Sequence, residues 1–578
     1  MRMTNKIMRN NAAYNINQNK ILQDKLTNQM TNQSKIVRPS DDPVVAIRAL
    51  RLRSNVTAVT QYNEKNAKDA ESWLSLTADA MDTVYQVLNS LYDQATTSPN
   101  KYQTSDDLSI IITEIKQLTA EFYSCANVDY AQRYVFSGYR TDLPVTFTKE
   151  DMKEMEEHPV SFNIDEDFGF QDISRVSYTD YSMVKDGLEA NPPVPPTGPG
   201  GITDEKSYEQ FVDNTTMYRY RLSYNNLDSL KEGGELNITM PDGTNVVAKA
   251  QMQQKLDDVT GLPVVDADGN PVMEPVLDAD GNPVVDTTPT DANGDPIIKE
   301  FGDQEEAYKA IADGTFTGIA YIPITGELVF SEDFYNENFN EKAFEGGKTF
   351  QVNYDKGTWK TGDINPVHYF KCIETKNVAA PSEDPDWRRT AYNTQVDDGR
   401  TQDIYYDVGY NQQIQVNTRA NEIFTHDVQR DLDDFEYYLN QLKAIETLEA
   451  DLTTKQKQFP EDSDEYKDIA ERLEGVNKAF TYIRENIHTK FENQITKYQQ
   501  YMNDFSVAET DNATRRSRLD LISTRLTNQQ ATFKELQQDN EGIDITETAV
   551  ELTSAELTYS AALMATGKIM QTNLMNYI

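Results

Sequence analysis

Cysteine, histidine and long apolar runs are all scarce in this chain. Only two cysteines occur in 578 residues, Cys125 and Cys372. That is too few for a disulfide framework, and they stand on segments of different texture, so both are expected to be buried or inert thiols. Four histidines, His158, His368, His426 and His488, are scattered without the spacing that a zinc or catalytic site needs. No run of about eighteen apolar residues exists, so no transmembrane helix and no membrane insertion are expected. The first 35 residues lack the apolar stretch of a cleavable signal peptide, and a place outside the cell would require export by another route. Hydrophobic residues make up only 38% and the mean hydropathy is −0.68. Long polar helices account for such values better than one compact globule.

Net charge is −41, unevenly spread. Residues 1–60 carry ten Lys and Arg against Asp24, Asp41 and Asp42, so the acidity belongs to the middle. An acidic surface repels nucleic acid. The basic end intersperses its charges with Asn and Gln and forms no dense block, so no nucleic-acid partner is expected.

Both ends read as helical. In 1–35, Ile7, Tyr14 and Ile21 recur every seven residues between Asn10, Asn11, Asn17 and Gln18. So few apolar groups do not hold a lone helix in water, and the segment is expected to order on meeting partners. Pro39-Ser40-Asp41-Asp42-Pro43 then breaks the helix, with Ser40 or Asp42 able to cap the next one and Pro43 at its first position. Behind it, Val45, Ala49, Leu52, Val56, Val59, Asn63, Asn66, Ala70, Trp73, Thr77, Ala80, Val84, Val87 and Leu91 alternate steps of four and three. That period predicts a coiled-coil-like helix of roughly 70 Å, at about 1.5 Å per residue, with Asn63 and Asn66 fixing register. Thr104 or Ser105 caps a further helix, and the chain leaves helix at Tyr134–Gly138.

From about residue 145 the texture turns to short β-rich runs. Glu235–Met240, Pro-Asp-Gly243 and Asn245–Val247 form a hairpin, and further strands are expected at 317–322, 350–354 and 404–406. The Pro/Gly linker 191–201 divides this insertion. After Asn417 helices return over about 425–452, 462–505 and 512–539. A final helix carries Leu552, Tyr559, Leu563, Met570, Leu574 and Tyr577 on one stripe, expected to be unpaired in the monomer.

Little chemistry is visible. Gly346-Gly347-Lys348-Thr349 looks like the end of a phosphate loop, but Lys342 stands where the first glycine belongs and a strand-like run follows. A hairpin turn is the expectation. Repeats of Asp-Ala-Asp-Gly-Asn-Pro type at 266–272, 278–284 and 291–297 place glycine fourth and lack a closing glutamate, so tight turns are expected rather than a calcium loop. Carboxylates are abundant in the insertion, yet nothing selects a catalytic pair. No cofactor, no metal and no enzymatic activity are expected.

Three pieces resemble the flagellar hook-associated protein 3 family. They are Met1–Met8; Lys35–Ala46, which includes the signature loop Pro39, Ser40, Asp41, Asp42 and Pro43; and Arg133–Thr141, which is similar to that family's strand leaving the helical region. At the far end Ile543–Val550, Tyr559–Leu563 and Leu574–Ile578 are similar to that family's terminal helix. The resemblance covers roughly 1–150 and 405–578. One departure is local: Gln33-Ser34 stand where the family carries a glycine before the lysine.

The implied fold is α+β, a long helical coiled-coil-like rod built from both chain ends, flagellin-like, with an inserted β-rich module. Its parts are terminal assembly helices at 1–35 and 543–578, flexible in the monomer; a helical rod from 36–145 and 405–542; and an insertion at 146–404, split near 191–201. The resemblance implies an extracellular axial protein exported through the flagellar type III apparatus. Its partners would be the first hook-associated protein, flagellin, copies of itself in a ring and an export chaperone. Ile7, Tyr14, Ile21, Leu552, Tyr559, Leu563, Met570, Leu574 and Tyr577 would form the assembly interface. Flagellin or another axial subunit is the alternative, and an extracellular enzyme or adhesive module with coiled-coil ends is a remote one.

Overall fold

The computed structural model describes residues 5–97, 104–189, 207–254, 273–276, 284–288, 296–376, 389–393 and 402–571. The linker 191–201 lies outside them, as do all but the last few residues of the Asp-Ala-Asp-Gly-Asn-Pro segments. Two compact units emerge. The first comprises 1–75, 405–416 and 513–578, and the second comprises 76–404 and 417–512. Long helices at both ends flank an inserted, largely antiparallel sheet region, as the sequence predicts.

The first unit holds α1 (Asn5–Asn32), α2 (Pro43–Thr60), the start of α3 (Ala67–Thr97), the end of α10 (Asp464–Glu541) and α11 (Ile545–Gln571). Asp42 caps α2, its carboxylate accepting from the Val44 and Val45 amides, and Pro43 occupies the first turn. A π-helical turn, Gln61–Asn66, joins α2 to α3 and contains both asparagines of the predicted seam. Asn63 donates to Thr527 Oγ1 (3.1 Å) and accepts from Ser523 Oγ (3.2 Å), while Asn66 donates to the Asp407 carbonyl (2.8 Å). These polar positions fix register through hydrogen bonds to α10 and to the hairpin at 405–415. All fourteen stripe positions from Val45 to Leu91 are buried or half-buried. On α10, Leu519, Ile522 and Leu526 are buried and Phe533 is half-buried, but Leu536 is 46% exposed.

Two helices expected over 462–505 and 512–539 are one continuous α10. Residues 506–511 contain neither proline nor glycine, and nothing there stops a helix.

The second unit contains α4 (Ser105–Ser124), α5 (Lys149–Glu157), α6 (Ser182–Lys185), α7 (Gln304–Ala312), α8 (Glu332–Asn338) and α9 (Asp427–Gln456), together with the remaining lengths of α3 and α10. Thr104 caps α4 in a reciprocal box with Asp107, and α4 packs along α9. A seven-stranded sheet runs in the order β14 (Arg389–Tyr392), β13 (Lys371–Lys376), β1 (Val160–Phe168), β12 (Phe350–Lys356), β4 (Glu235–Thr239), β5 (Asn245–Ala250), β8 (Val285–Thr288). A five-stranded sheet runs β2 (Ser174–Asp180), β3 (Asp213–Arg221), β11 (Glu327–Phe330), β10 (Ile319–Ile322), β9 (Ile298–Glu300), parallel only at β10–β9. Smaller ladders pair β6 (Met252–Gln254) with β7 (Met273–Pro275), and β15 (Tyr405–Gly409) with β16 (Gln412–Gln415) in the first unit.

The expected hairpin is β4–β5, with Glu235 opposite Lys249 and Thr239 opposite Asn245. Its turn needs Gly243 at φ +93°. Apolar faces of the two larger sheets share one core, including Ile164, Leu236, Val352 and Tyr354 from the first and Tyr220, Leu328 and Phe330 from the second. The other face of the five-stranded sheet is covered by α7 and Tyr437, around Val176, Met217 and Val329. Strands β10 and β11 are therefore buried at every residue. The strand that the resemblance implies at Arg133–Thr141 is absent. A single bridge at Tyr134 leads instead into a buried turn with Gly138 at φ +64°.

Candidate functional site

The segment between α1 and α2 is a knot of short hydrogen bonds. Gln33 leaves α1 at φ +52°, in the left-handed region, at the place where a glycine was expected. Ser34 bridges Gly542, the Lys35 amide donates to the Glu541 carbonyl (2.7 Å), and Lys35 Nζ donates to that of Asp539 (3.0 Å). A cation thus sits at the C-terminal end of α10, where the helix dipole favours it. Gly542 is required by close approach: a Cβ there would lie 2.5 Å from the Gln538 carbonyl oxygen. Arg53 donates from Nε to Glu541 Oε1 (2.9 Å), and Glu541 is only 8% exposed.

Within the signature loop, Asp41 accepts from the amides of Arg38 (2.8 Å) and Val37 (3.0 Å), and those bonds hold its carboxyl below the usual carboxylate range. Pro39 and Ser40 are exposed. Asp41 folds the loop and Asp42 starts α2. In this structure the loop joins α1 and α2 to the corner between α10 and α11.

α1 packs along α11. On α1 the shielded side chains include Met8, Ala12, Ile16, Asn19, Gln23 and Leu26; on α11 they include Thr548, Leu552, Ala555, Tyr559, Ala562 and Thr566. Ile7, Tyr14 and Ile21 fall on the outer side of α1 at 47%, 64% and 54% exposure. The stripe expected to be unpaired on the final helix divides. Leu552 and Tyr559 lie on the half-buried face shared with Ala555, whereas Leu563 is 46% exposed. The side chain of Met570, and the whole of Leu574 and Tyr577, lie outside the described residues. Sequence reading missed a second stripe, Val550, Leu557 and Met564, exposed at 66%, 74% and 69%. Its seven-residue spacing was visible, but helical phase alone does not say which of two apolar stripes meets a partner helix.

The second unit buries a set of charges that sequence reading did not find. Arg219 reaches both oxygens of Asp434 (2.8 Å each) and Glu327 (2.5 Å). Arg221 and Lys490 each reach Asp434 at 2.6 Å, and Lys490, Lys497, Gln494 and Tyr501 surround Asp431. Tyr308 donates to Glu327 (2.8 Å). Each carboxylate is met by cations or donors, which is the arrangement of a structural network rather than of a poised acid–base pair.

The histidines do not converge. Burial pushes His368 down to about 4 and His426 down to about 3, so both are neutral at pH 7. His488 lies 3.5 Å from Glu492. Burial raises the thiols of Cys125 to about 11 and of Cys372 to about 12, as expected of inert cysteines. Gly346 and Gly347 form a positive-φ turn leading into β12, a strand and not a helix. Among the described residues no group of three metal-ligating side chains occurs, and no helix is long and apolar enough to cross a membrane.

Residues 3–141 match the family described as the bacterial flagellin N-terminal helical region. Flagellar hook-associated protein 3 of Escherichia coli (strain K12) is 27% identical over 115 residues, 20% of this chain and 36% of that protein. A flagellin of Clostridium tyrobutyricum is 28% identical over 144 residues, 25% of this chain and 38% of its own. A crystal structure of Xanthomonas campestris FlgL aligns with 84% of this chain and 98% of its own at 11% identity, with a TM-score of 0.25. The matches thus span little more than a third of the length of the curated relatives. Over residues 3–141 the chain is similar to the bacterial flagellin N-terminal helical region, and over a fifth to a quarter of its length it is similar both to a flagellar hook-associated protein 3 and to a flagellin.

Proposed function

We propose that this chain is a structural axial protein of the bacterial flagellum that joins the hook to the filament. The first hook-associated protein lies on one side of it, flagellin on the other, and copies of itself lie around the ring. One observation carries the reading beyond the similarity of the amino-terminal region. Apart from Tyr85, Ile110, Tyr139, Ile324 and Val507, every large apolar side chain found exposed among the described residues belongs to the first unit. Scattered exposed apolar groups are ordinary, but a concentration of them marks an interaction surface. The role is structural rather than catalytic, and a closed, fully paired charge network in the second unit suits that role.

Export proceeds through the flagellar type III apparatus, with a chaperone holding the terminal segments. The thin seam between α1 and α11 supports this. Asn19, Gln23, Thr548 and Thr566 take four of those twelve shielded positions and Ala12, Ala555 and Ala562 three more, so the large apolar side chains between the two helices are few, and α1 and α11 gain their full order on assembly. Deleting the gene tests the role. Cells should then make hooks, carry no filaments and release flagellin into the medium; normal filaments on such cells would refute it.

A further inference from the structure

The seven-stranded sheet has one face in the core. On its central strands Ile164, Leu236, Ile238, Val352 and Tyr354 point into that core, so by the period of two their neighbours line the other face. Those neighbours fall in three rows across β1, β12 and β4: Asp167, Gln351 and Thr239; Asp165, Asn353 and Asn237; Asn163, Asp355 and Glu235. All are polar, and most are Asn or Asp, which strands disfavour. Threonine would meet water there and suit a strand better, so the fold does not account for this choice. The side chains hold one another in place. Asn163 and Asn353 exchange carboxamide hydrogen bonds (3.0 and 2.7 Å), while Asn163 donates to Asp355 (2.8 Å) and Asn353 to Asp165 (2.6 Å). Beside this fixed lattice, Asn237 Oδ1 is buried without a hydrogen-bond partner. Asp165, Asp167, Asn237, Thr239, Gln351 and Asn353 line a concavity of about 730 Å³, bordered by Tyr369, Phe370 and Lys371. That volume falls in the range of small-molecule sites, roughly 300–1,000 Å³.

We propose that this face binds a neutral oligosaccharide, whose hydroxyls seat on the Asp165–Asn353–Asn237 and Asp167–Gln351–Thr239 rows. Each sugar hydroxyl both donates and accepts. The carboxylates here accept, and the carboxamides and Thr239 do both, so the rows match a series of hydroxyls without any change of protonation. A bound hydroxyl gives Asn237 Oδ1 the donor it lacks, and a buried acceptor gains more from a new partner than an exposed one does. The rings of Tyr369 and Phe370 offer an apolar border to the C–H face of a pyranose. Other ligand classes fit less well. Among the described residues Lys371 is the one cation lining the concavity, and it lies 3.9 Å from Asp165, so phosphate and sulfate meet net negative charge. No group of three metal-ligating side chains occurs among the described residues, so a bare divalent ion has no cage. An apolar peptide would cover the amides without pairing them. All these residues belong to the second unit, and the proposal stands apart from the junction role.

The test titrates the full-length chain with maltotetraose, chitotetraose and xylotetraose, read by calorimetry and by saturation-transfer NMR. Heparin and tetralysine serve as an anionic and a cationic probe. At least one tetrasaccharide should bind, its affinity unchanged by salt because no ion pair forms. Asp167 and Gln351 are exposed, so Asp167→Ala and Gln351→Ala should keep the parent's circular dichroism and melting temperature. A hydrogen bond to a carboxylate is the stronger of the two losses, so Asp167→Ala should weaken binding by about tenfold or more and Gln351→Ala by several-fold. Three results would each overturn the proposal: no binding of any tetrasaccharide, affinity unchanged in both variants, or binding of tetralysine or heparin in place of the sugars. Loss of binding in a variant that has also lost its fold is resolved by the other variant, whose substitution lies on a different strand.

Discussion

Asp434 is the hinge of the buried charge network, and Asp434→Asn isolates its electrostatic role because the side-chain volume hardly changes. In the native chain its carboxylate meets Arg219, Arg221 and Lys490, whose side chains are 4%, 9% and 13% exposed. Burial pushes the Asp434 carboxyl up, but the charges of Arg219, Arg221 and Lys490 outweigh burial and hold it well below the usual range. Neutralising it leaves four cations, with Lys497, facing only Glu327 and Asp431. Breaking a buried pair in this way costs about 3–5 kcal/mol. With a denaturant slope of about 2–3 kcal/mol per M urea, the midpoint should fall by about 1–2.5 M in far-UV circular dichroism. Acid provides the second readout. A carboxyl lowered in the folded state contributes stability that is present above its unfolded pKa of about 4 and lost as pH falls through the folded value. The native chain should therefore lose more stability than Asp434→Asn between about pH 4 and 2. An unchanged urea midpoint together with parallel acid profiles would refute the reasoning.

Glu166 behaves oppositely: burial raises its carboxyl to about 7, against hydrogen bonds from Tyr354 and Ser223. Stability present below about pH 4.5 should be lost as pH rises through 7, by roughly 3 kcal/mol, and Glu166→Gln should flatten urea midpoints over that range. Val84 is fully buried, so Val84→Asp should cost about 4 kcal/mol or more in calorimetry, and an unchanged melt would mean the seam is not packed there. Gln33→Gly removes a side chain from a left-handed backbone position and should stabilise the first unit by about 0.5–1 kcal/mol; a lower melting temperature would count against strain at that turn.

Features set by local chemistry were legible in the sequence. The 4–3 stripe from Val45 to Leu91, the Asp42 cap with Pro43 behind it, the Thr104 cap and the Asp-Gly turn of β4–β5 depend on neighbours a few residues away. What depends on distant parts of the chain was not legible. The charge network joins Arg219 of β3 and Glu327 of β11 to Asp434 of α9 and Lys490 of α10, and no spacing announces such a meeting. Tyr134–Gly138 bonds to three separate places, Tyr134 to Thr141, Val135 to Val128 and Phe136 to Ala420, so no continuous ladder forms. On α11, Leu552 and Tyr559 were separated from Val550 and Leu557 only by the position of α1. The left-handed turn at Gln33 was not legible either: the residue stands where the similar family carries a glycine, and only the backbone shows that the turn keeps its positive φ without one.

The proposed junction role turns on side chains that the isolated chain leaves uncovered, and Tyr14→Ser combined with Leu557→Ser removes one from the outer side of each terminal helix. Both are mostly exposed, so the purified variant should melt as the parent does. Electron microscopy of cells carrying that variant in place of the native gene should show hooks without filaments, with flagellin and the variant protein both in the medium. Filaments of normal number and length on those cells would contradict an assembly role for the terminal helices.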